Sequence, residues 1–382
     1  MKKYKICGVT TRAFTIEWFM LENLKYLSKN GYQAYVICEP TDALNNIDEI
    51  AFYPIDMKRG NVSVWEVLRS IWQMIKIFRR EKFDAIQYAS SNAGLYAAIA
   101  GWITRIPVRI YCQWGISYTD YSGLKYIFYK TIEKVTCLLS TNVQPDSYGN
   151  LDFSIKNNLY KSAKGNVVFN GSACGVNLER FDITKRNEWR HEIHSQYSIH
   201  QNKKVFGFVG RLALEKGVNE LLEAFIKLDS SDAILMIVGP YYGIEDLNQN
   251  IYRQALTNKN IIFVGPVPDP SKFYAAFDFL ILPSYREGFG MVVLESAAMG
   301  TPIIVSNIIG PTEFVKHNHN GLYCEVKSSL SLKNAMITAL SLSDSEYLQL
   351  CKNAYYDVST KFNSADFKVA FLNDRNNLLT RK

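Results

Sequence analysis

Short unbroken runs of apolar residues alternate along the chain with longer segments in which apolar positions recur every three or four residues. Unbroken runs are typical of strands buried on both faces of a parallel sheet, and the longer pattern is typical of helices. Strands are predicted at residues 4–9, 34–38, 85–88, 108–113, 142–144, 167–170, 205–209, 233–238, 261–264, 279–282 and 303–306. Their alternation with helices predicts βαβ units, and hence an α/β protein with parallel sheets.

A polar and charged stretch at residues 184–204 separates two halves that are each rich in predicted strands. A length of 382 residues also suits two domains better than one. We therefore predict an N-terminal domain at residues 1–184, a C-terminal domain at 185–363, and a final helix at 364–382 that packs back on the N-terminal domain.

The composition is that of a globular protein, with 48% apolar and 21% charged residues. The seven cysteines are widely spread and form no C-x-x-C pair, which argues against a disulfide framework and a zinc site. The N-terminus lacks the apolar core of a signal peptide, and no window approaches 18 uncharged apolar residues. These features predict a cytoplasmic protein without a transmembrane helix or a bound metal.

The net charge of +7 resides in the N-terminal part of the chain: residues 1–170 contain 21 Lys or Arg against 14 Asp or Glu, whereas residues 171–382 contain 22 of each. Basic residues also lie on the polar sides of two predicted helices, 61–82 and 123–139. An anionic partner such as a membrane surface, a lipid diphosphate or nucleic acid would explain the surplus. An ordinary basic surface, on helices that cover their own sheet, would give the same pattern.

Arg211 and Lys216 lie on a predicted strand-to-helix loop, between the strand that ends at Val209 and a helix that begins near Gly217. Loops of this kind gather at the carboxyl edge of a parallel sheet, where ligands bind in open α/β folds. A guanidinium and an ammonium on one such loop can clamp a diphosphate. Exposed cations on loops are also common, so this segment alone does not decide the function.

A second segment, residues 282–306, joins Glu287-Gly-Phe-Gly290 to a predicted helix at 291–299 that carries Glu295. Glycines before a helix let backbone N–H groups approach an anion at the positive end of the helix. Carboxylates would repel that anion, so Glu287 and Glu295 are expected to accept hydrogen bonds from ribose and sugar hydroxyls. The alternatives are a helix-start acid for Glu287 and a solvated helix position for Glu295.

Together, Val209-Gly-Arg211-x4-Lys216-Gly217 and Glu287-x7-Glu295 resemble the donor site of family 4 glycosyltransferases. Segments at residues 170–181, 237–240 and 263–268 are also similar to the family pattern, and the resemblance covers about residues 165–360 well. It implies the GT-B architecture, in which two Rossmann-like domains with parallel sheets face each other across a cleft.

For activity, the resemblance implies a retaining transferase that uses a UDP-sugar or a GDP-sugar, with UDP favoured, and needs neither a cofactor nor a metal. Arg211 and Lys216 would hold the β-phosphate, Glu287 the donor sugar and Glu295 the ribose. The resemblance also implies donor contacts from Gly210 and, near the base, from Val267 and Pro268. The backbone N–H groups of Phe289, Gly290, Met291 and Val292 would complete the phosphate site.

The chain departs from the family pattern after the predicted strand at residues 108–113. Many relatives carry a histidine in this segment, whereas this chain has Trp114 and no histidine before His191. Trp114 would either stack on a sugar or fill space. Arg12, on the first strand-to-helix loop, is a second candidate on the acceptor side.

The expected acceptor is a glycan or a lipid-linked oligosaccharide in the assembly of O-antigen, capsule or exopolysaccharide, and the enzyme would lie on the inner face of the plasma membrane. Two other classes stay open: a sugar-nucleotide epimerase or phosphorylase of the same architecture, and a non-catalytic nucleotide-binding protein. A nucleic-acid partner is not expected, because no RNP-like or helix-turn-helix signature is present.

Overall fold

The computed structural model describes residues 3–45, 47–57 and 63–380. The chain forms two compact units, one comprising Met1–Cys174 with Ala365–Lys382 and the other Gly175–Ser364. The first break follows Cys174, ahead of the predicted boundary at residue 184. The reason is that Val176 bridges to Asn363, and Phe181 lies in the core of the second unit.

Within the described residues, the first unit is built on six parallel strands in the spatial order β3-β2-β1-β4-β5-β6. Strands β1 to β6 are Lys5–Val9, Gln33–Cys38, Ile50–Pro54, Ala85–Tyr88, Val108–Gln113 and Asn142–Pro145. Helices α1 to α6 are Ala13–Thr15, Leu21–Lys29, Val64–Glu81, Ser91–Ile103, Gly123–Leu139 and Tyr148–Lys156. A π-helical turn, Ile16–Met20, joins α1 to α2.

Both faces of this sheet are covered. Ile6 of β1 packs with Leu24 of α2 on one face, whereas Cys7 and Val9 pack with residues of α3, α4 and α5 on the other. Helix α3 begins at a capping box, in which Ser63 and Glu66 satisfy each other's backbone N–H groups. Of the helix predicted at residues 61–82, the first two residues lie outside the described ranges.

The second unit has the same topology, with strands in the order β12-β11-β10-β7-β8-β9 in the described part of the chain. Strands β7 to β12 are Lys204–Val209, Ala233–Val238, Ile261–Gly265, Phe279–Leu282, Ile303–Ser306 and Gly321–Cys324. Helices α7 to α14 are Arg186–Gln196, Val218–Leu228, Gln249–Thr257, Ser271–Ala276, Met291–Ala298, Pro311–Phe314, Ser329–Ser341 and Asp344–Lys361, and α15 is Ser364–Thr380. The two parallel sheets confirm the predicted α/β class.

Three local predictions differ from the structure. Residues 167–170 do not form a strand, because Phe169 adopts a left-handed conformation with φ of 54° inside a turn closed by Gly171 and Val168. Strands β3 and β12 were not predicted, and both lie at an edge of their sheet. Residues 184–204 contain α7, whose buried His194 contacts the Ala276 carbonyl at 3.0 Å, and so they belong to the second core.

Helix α15 returns to the first unit and fixes itself there through a buried cation. The Arg375 side chain is 1% exposed, and its guanidinium donates to Gln87 Oε1 at 3.1 and 3.0 Å and to Gln144 Oε1 at 3.0 Å. Asp374 supplies the countercharge to the Arg375 guanidinium, and Phe371 covers it with a ring centroid 4.0 Å away. These paired polar groups therefore cover a face of the first sheet that would otherwise contact water.

Candidate active site

Apart from Val267 and Pro268, which follow β9, the predicted donor residues follow two strands that lie side by side in the second sheet, β7 and β10. From this pair the chain proceeds outwards in both directions, to β8 and β9 on one side and to β11 and β12 on the other. The connections after β7 and β10 therefore lead to opposite sides of the sheet, and the carboxyl edge at such a switch point is the usual ligand position in open α/β sheets. Arg211 and Lys216 follow β7, and Glu287 follows β10.

Close backbone contact holds these two loops together. Gly217 adopts φ of 69°, and a Cβ at this position would lie 2.0 Å from the Pro283 carbonyl oxygen, so a side chain cannot be accommodated. The Tyr285 N–H also donates to the Glu215 carbonyl at 2.9 Å, and the Tyr285 hydroxyl donates to Glu220 of α8 at 2.8 Å. The geometry of the site therefore rests on backbone approach as much as on side chains.

Lys216 and Glu287 meet across this contact. Lys216 Nζ lies 2.5 Å from Glu287 Oε1, and the side chains retain 21% and 11% of their exposure. The Ser284 hydroxyl donates to the same Glu287 oxygen at 2.7 Å. A cation and an acid thus share one partly buried position, and Ser284 fixes the orientation of the carboxylate.

Arg211 lies on the same loop but is not part of that contact. Its guanidinium donates to Glu215, four residues along the chain, at 2.7 Å. The guanidinium also lies 5.2 Å from the centroid of the Tyr242 ring. The Arg211 side chain is 43% exposed, so it is accessible to an anion from solvent. Arg211 and Lys216 therefore follow the same strand but have separate sets of partners.

The start of α11 has the features expected of an anion site. Gly290 adopts φ of 82° and precedes Met291, the first helical residue. The first N–H groups of a helix lack partners within it, and the helix dipole makes this end positive. Phe289 is 1% exposed and packs against Phe362 with ring centroids 5.4 Å apart, so its side chain belongs to the core.

Glu295 lies one turn inside α11 and is held from the side. The hydroxyl of the fully buried Tyr274 donates to Glu295 Oε2 at 2.5 Å. Burial raises the pKa of the Glu295 carboxyl, although the Tyr274 hydrogen bond acts in the opposite direction. Val267 packs partly against the same core, Pro268 is exposed, and neighbouring Asp269 accepts from Arg180 at 3.0 Å. This part of the site is therefore partly buried, and the Tyr274 hydroxyl fixes the orientation of the Glu295 carboxylate.

The two acceptor-side candidates belong to the first unit. Arg12 follows β1, and its guanidinium donates to Glu39 Oε2 at 2.8 Å with 48% of the side chain exposed. Trp114 follows β5 and is half-buried, with its ring edge-on to Phe19 at a centroid distance of 5.7 Å. The packing explanation accounts for at least part of the Trp114 surface.

Several contacts of the site were not predicted from the sequence. They are those of Ser284, Tyr274, Glu215, and the Tyr285–Glu220 pair. The signal for Ser284 was present, since a hydroxyl three residues before an acid often bonds to it locally. No comparable signal existed for Tyr274, whose partner is 21 residues away in the chain. In the described residues, no group of three His, Cys, Asp or Glu side chains is placed to hold a metal ion.

Two family models match the chain, and they cover different units. The model described as glycosyl transferases group 1 matches residues 190–357, and the model described as glycosyl transferase 4-like matches residues 5–144. The chain belongs to the family 4 type of glycosyltransferases. This glycosyltransferase therefore carries the family pattern on both sides of its domain break, although the sequence resemblance was clear only on one.

Two curated relatives match the sequence of this glycosyltransferase along most of its length. It is 28% identical over 327 residues, 85% of the chain and 84% of the relative, to the capsular polysaccharide biosynthesis glycosyltransferase CapM of Staphylococcus aureus. It is 25% identical over 353 residues, 90% of the chain and 88% of the relative, to the UDP-Gal:alpha-D-GlcNAc-diphosphoundecaprenol alpha-1,3-galactosyltransferase of Escherichia coli.

A solved structure supports the fold of the glycosyltransferase. Anabaena Alr3699/HepE, crystallised with UDP and glucose, superposes with a TM-score of 0.80 at 19% identity, covering 98% of this chain and 99% of that one. Among residues 3–45, 47–57 and 63–380, no helix has both the length and the apolar character needed to cross a bilayer.

Proposed function

We propose that this glycosyltransferase takes a sugar from a UDP-sugar and adds it, with retention of anomeric configuration, to a lipid-diphosphate-linked glycan during surface-polysaccharide assembly. The observation that carries the proposal is the 2.5 Å contact of Lys216 and Glu287 between the two loops that follow the neighbouring strands β7 and β10 at the carboxyl edge of the sheet. It places a phosphate-binding cation next to an acid that can bind sugar hydroxyls.

The proposed donor contacts are those that the family resemblance implies, and the positions of the charged groups support them. Lys216 and Arg211 bind the β-phosphate, and the backbone N–H groups of residues 289–292 bind it from the start of α11. Glu287 accepts hydrogen bonds from the transferred sugar, and Glu295 accepts them from the ribose. The loop at Gly210 borders the phosphates, while Val267 and Pro268 border the base.

The chemistry needs no protein nucleophile. As the sugar–phosphate bond breaks, negative charge grows on the departing diphosphate, and fixed cations and amide dipoles stabilise it without a metal or cofactor. Each such donor contributes about 3–4 kcal/mol in a dry site. The acceptor hydroxyl attacks the face from which the diphosphate leaves, and its proton passes to the leaving phosphate oxygen. Attack and departure on one face retain the configuration.

The acceptor side is argued from charge and from the relatives. The Escherichia coli relative acts on a diphosphoundecaprenol-linked sugar, and the Staphylococcus aureus relative takes part in capsule biosynthesis. An acceptor diphosphate at a membrane suits the basic residues 1–170. Arg12 and Trp114 are the proposed acceptor-side residues, and the enzyme works peripherally on the cytoplasmic face of the membrane.

The first experiment separates donor choice from transfer. UDP is expected to raise the melting temperature of the protein more than GDP does at equal concentration, because only a bound ligand stabilises the fold. Purified enzyme incubated with UDP-sugars and lipid extracts should then give a lipid-diphosphate product one sugar heavier by mass spectrometry, with the donor's anomeric configuration by NMR. Inverted product, or stabilisation by GDP alone, would refute the respective part of the proposal.

Replacing Tyr274 by phenylalanine should raise the KM for the UDP-sugar roughly tenfold with little change in kcat, since a hydrogen bond to a charged group is lost. Loss of that donor also raises the pKa of Glu295 further, so the acid limb of the pH profile for donor binding moves to higher pH. The matched control is Tyr323→Phe, which removes a 2.6 Å hydrogen bond to the Val315 carbonyl away from Glu295. An equal change in both variants would assign Tyr274 a purely structural role.

A further inference from the structure

The outer face of the first unit's helical layer is unusually apolar. Eight large apolar side chains on α3 and α5 are at least half exposed, and besides the terminal Val64 and Leu138 they include these six: Trp65, Leu68, Trp72, Leu124, Ile127 and Phe128. Trp65 and Leu124 reach 80% and 85% exposure. Soluble monomers rarely expose clusters of this size unless the surface has a partner. We refer to these six residues as the outer face.

Each of the two helices has apolar residues on two opposite sides, one buried and one exposed. On α3, Ile71, Met74 and Phe78 are buried against the sheet, so the core is satisfied without Trp65 and Trp72. On α5, Thr136 and Cys137 are buried, while Leu124 and Phe128 are one turn apart in solvent. The core therefore gives no reason for the outer apolar residues.

The two helices belong to one layer. Helix α4 packs against both α3 and α5, and α3 and α5 lead into the parallel strands β4 and β6. A helix between parallel strands runs back against them, so its N-terminal end lies at the carboxyl edge of the sheet. The outer face lies in the N-terminal halves of both helices, and so it borders the edge at which the loops of this sheet bind ligands.

The exposed charged side chains of α3 and α5 are of one sign. Arg69, Lys76, Arg79, Lys125 and Lys134 are exposed on the same two helices. By contrast, Glu66 is held in the capping box, Glu81 accepts from Tyr53 at 2.9 Å, and Glu133 is buried. Helix α4 contains no acidic residue. An anionic surface would therefore meet cations without facing an exposed carboxylate of these helices.

We propose that the outer face docks the protein on an anionic lipid bilayer. Tryptophan and leucine enter the headgroup boundary, and lysine and arginine contact lipid phosphates, which is the combination found in helices that lie in a membrane interface. Lys76 Nζ lies 3.3 Å from the centroid of the Trp72 ring, so one cation already stands beside an aromatic ring, as an interface requires. The inference extends the proposed function, because a lipid-linked acceptor lies in such a bilayer.

The test uses the full chain and vesicles of phosphatidylglycerol with phosphatidylcholine, compared with pure phosphatidylcholine. The wild type should sediment with the anionic vesicles at low salt, and high salt should release most of it. The variant Trp65→Ser/Leu124→Ser/Phe128→Ser should bind at least about tenfold more weakly. Its matched control, Leu330→Ser/Ile337→Ser/Leu348→Ser, changes residues of the second unit that are 63%, 46% and 53% exposed, and should bind like the wild type.

Transfer to a water-soluble, short-chain acceptor separates this inference from the proposed function. The outer-face variant should retain that activity, its far-UV circular dichroism and its UDP-induced stabilisation, while losing the blue shift of tryptophan fluorescence on anionic vesicles. Absence of vesicle binding by the wild type, or equal binding by the outer-face variant and the control, would overturn the docking surface and leave the transferase intact. A wild-type dimer that the variant converts to a monomer, without vesicle binding, would equally overturn it.

Discussion

Replacing Glu287 by alanine is expected to lower sugar transfer by about a thousandfold, while UDP binds as tightly as before or more tightly. The carboxylate is proposed to hold the transferred sugar, and a loss of orientation at the reacting centre affects kcat directly. In the free protein Glu287 lies 2.5 Å from Lys216 Nζ, so its removal leaves the whole lysine charge to the diphosphate. Initial rates with the identified UDP-sugar, together with calorimetric titration of UDP, measure the two effects separately.

A matched control for Glu287 exists on α8. Glu223 accepts from Lys227 Nζ at the same distance of 2.5 Å, but on an exposed surface where such pairs contribute little. Glu223→Ala should therefore leave both transfer and UDP affinity unchanged. Wild-type turnover in Glu287→Ala would show that Glu287 does not hold the transferred sugar. Loss of UDP binding in that variant would instead show that it supports the loop.

Replacing Arg375 by alanine should destabilise the first unit by about 3–5 kcal/mol, because the substitution leaves buried polar groups without donors. The oxygens of Gln87 and Gln144 lose the hydrogen bonds that the guanidinium donates at 3.0–3.1 Å, and Asp374 loses its countercharge. A domain of this size loses roughly 2–4 °C of melting temperature per kcal/mol, so the shift should exceed about 6 °C. Differential scanning calorimetry measures it, and UDP marks the transition of the second unit.

Lys368→Ala is the corresponding control on α15. Lys368 pairs with the exposed Glu22 at 3.5 Å, and its loss should change the melting temperature of the first unit by no more than a degree or two. Equal shifts in the two variants would mean that the buried cation has no special role. Arg375→Lys should be intermediate, because an ammonium cannot bond to both glutamines in the planar geometry of the guanidinium.

Much of the fold could be predicted because its strands are buried on both faces. Ala233–Val238 and Phe279–Leu282 are unbroken apolar runs, and the structure places both strands where the pattern predicts them. The edge strand β3 escaped prediction although Ile50–Pro54 is also an apolar run; it ends in a proline, which is typical of edge strands, and it is only partly buried. The false strand at residues 167–170 shows the converse, since an apolar run can also pack beside a sheet as a turn.

The sequence predicted those parts of the candidate site whose residues lie close together in the chain. The loops of Lys216 and Glu287 were recognisable from glycine positions and from the alternation of strands, because parallel strands bring such loops to one edge. The fine geometry depends on distant partners that no spacing reveals. Tyr274 reaches Glu295 from a different helix, and Pro283 meets Gly217 through its backbone. Assignments of hydroxyls to particular acids therefore depend on the proposed donor experiments.

The return of α15 to the first unit imposes an order on biosynthesis. Phe367 and Phe371 complete the same apolar cluster as Val36 and Ile110, yet they leave the ribosome only after residues 175–364. Until then one side of the first sheet lacks its cover, whereas residues 175–364 have already emerged. The later half of the nascent polypeptide therefore matures before the earlier half. A premature stop codon ahead of α15 would release a chain with a finished second unit and an open, chaperone-dependent first unit.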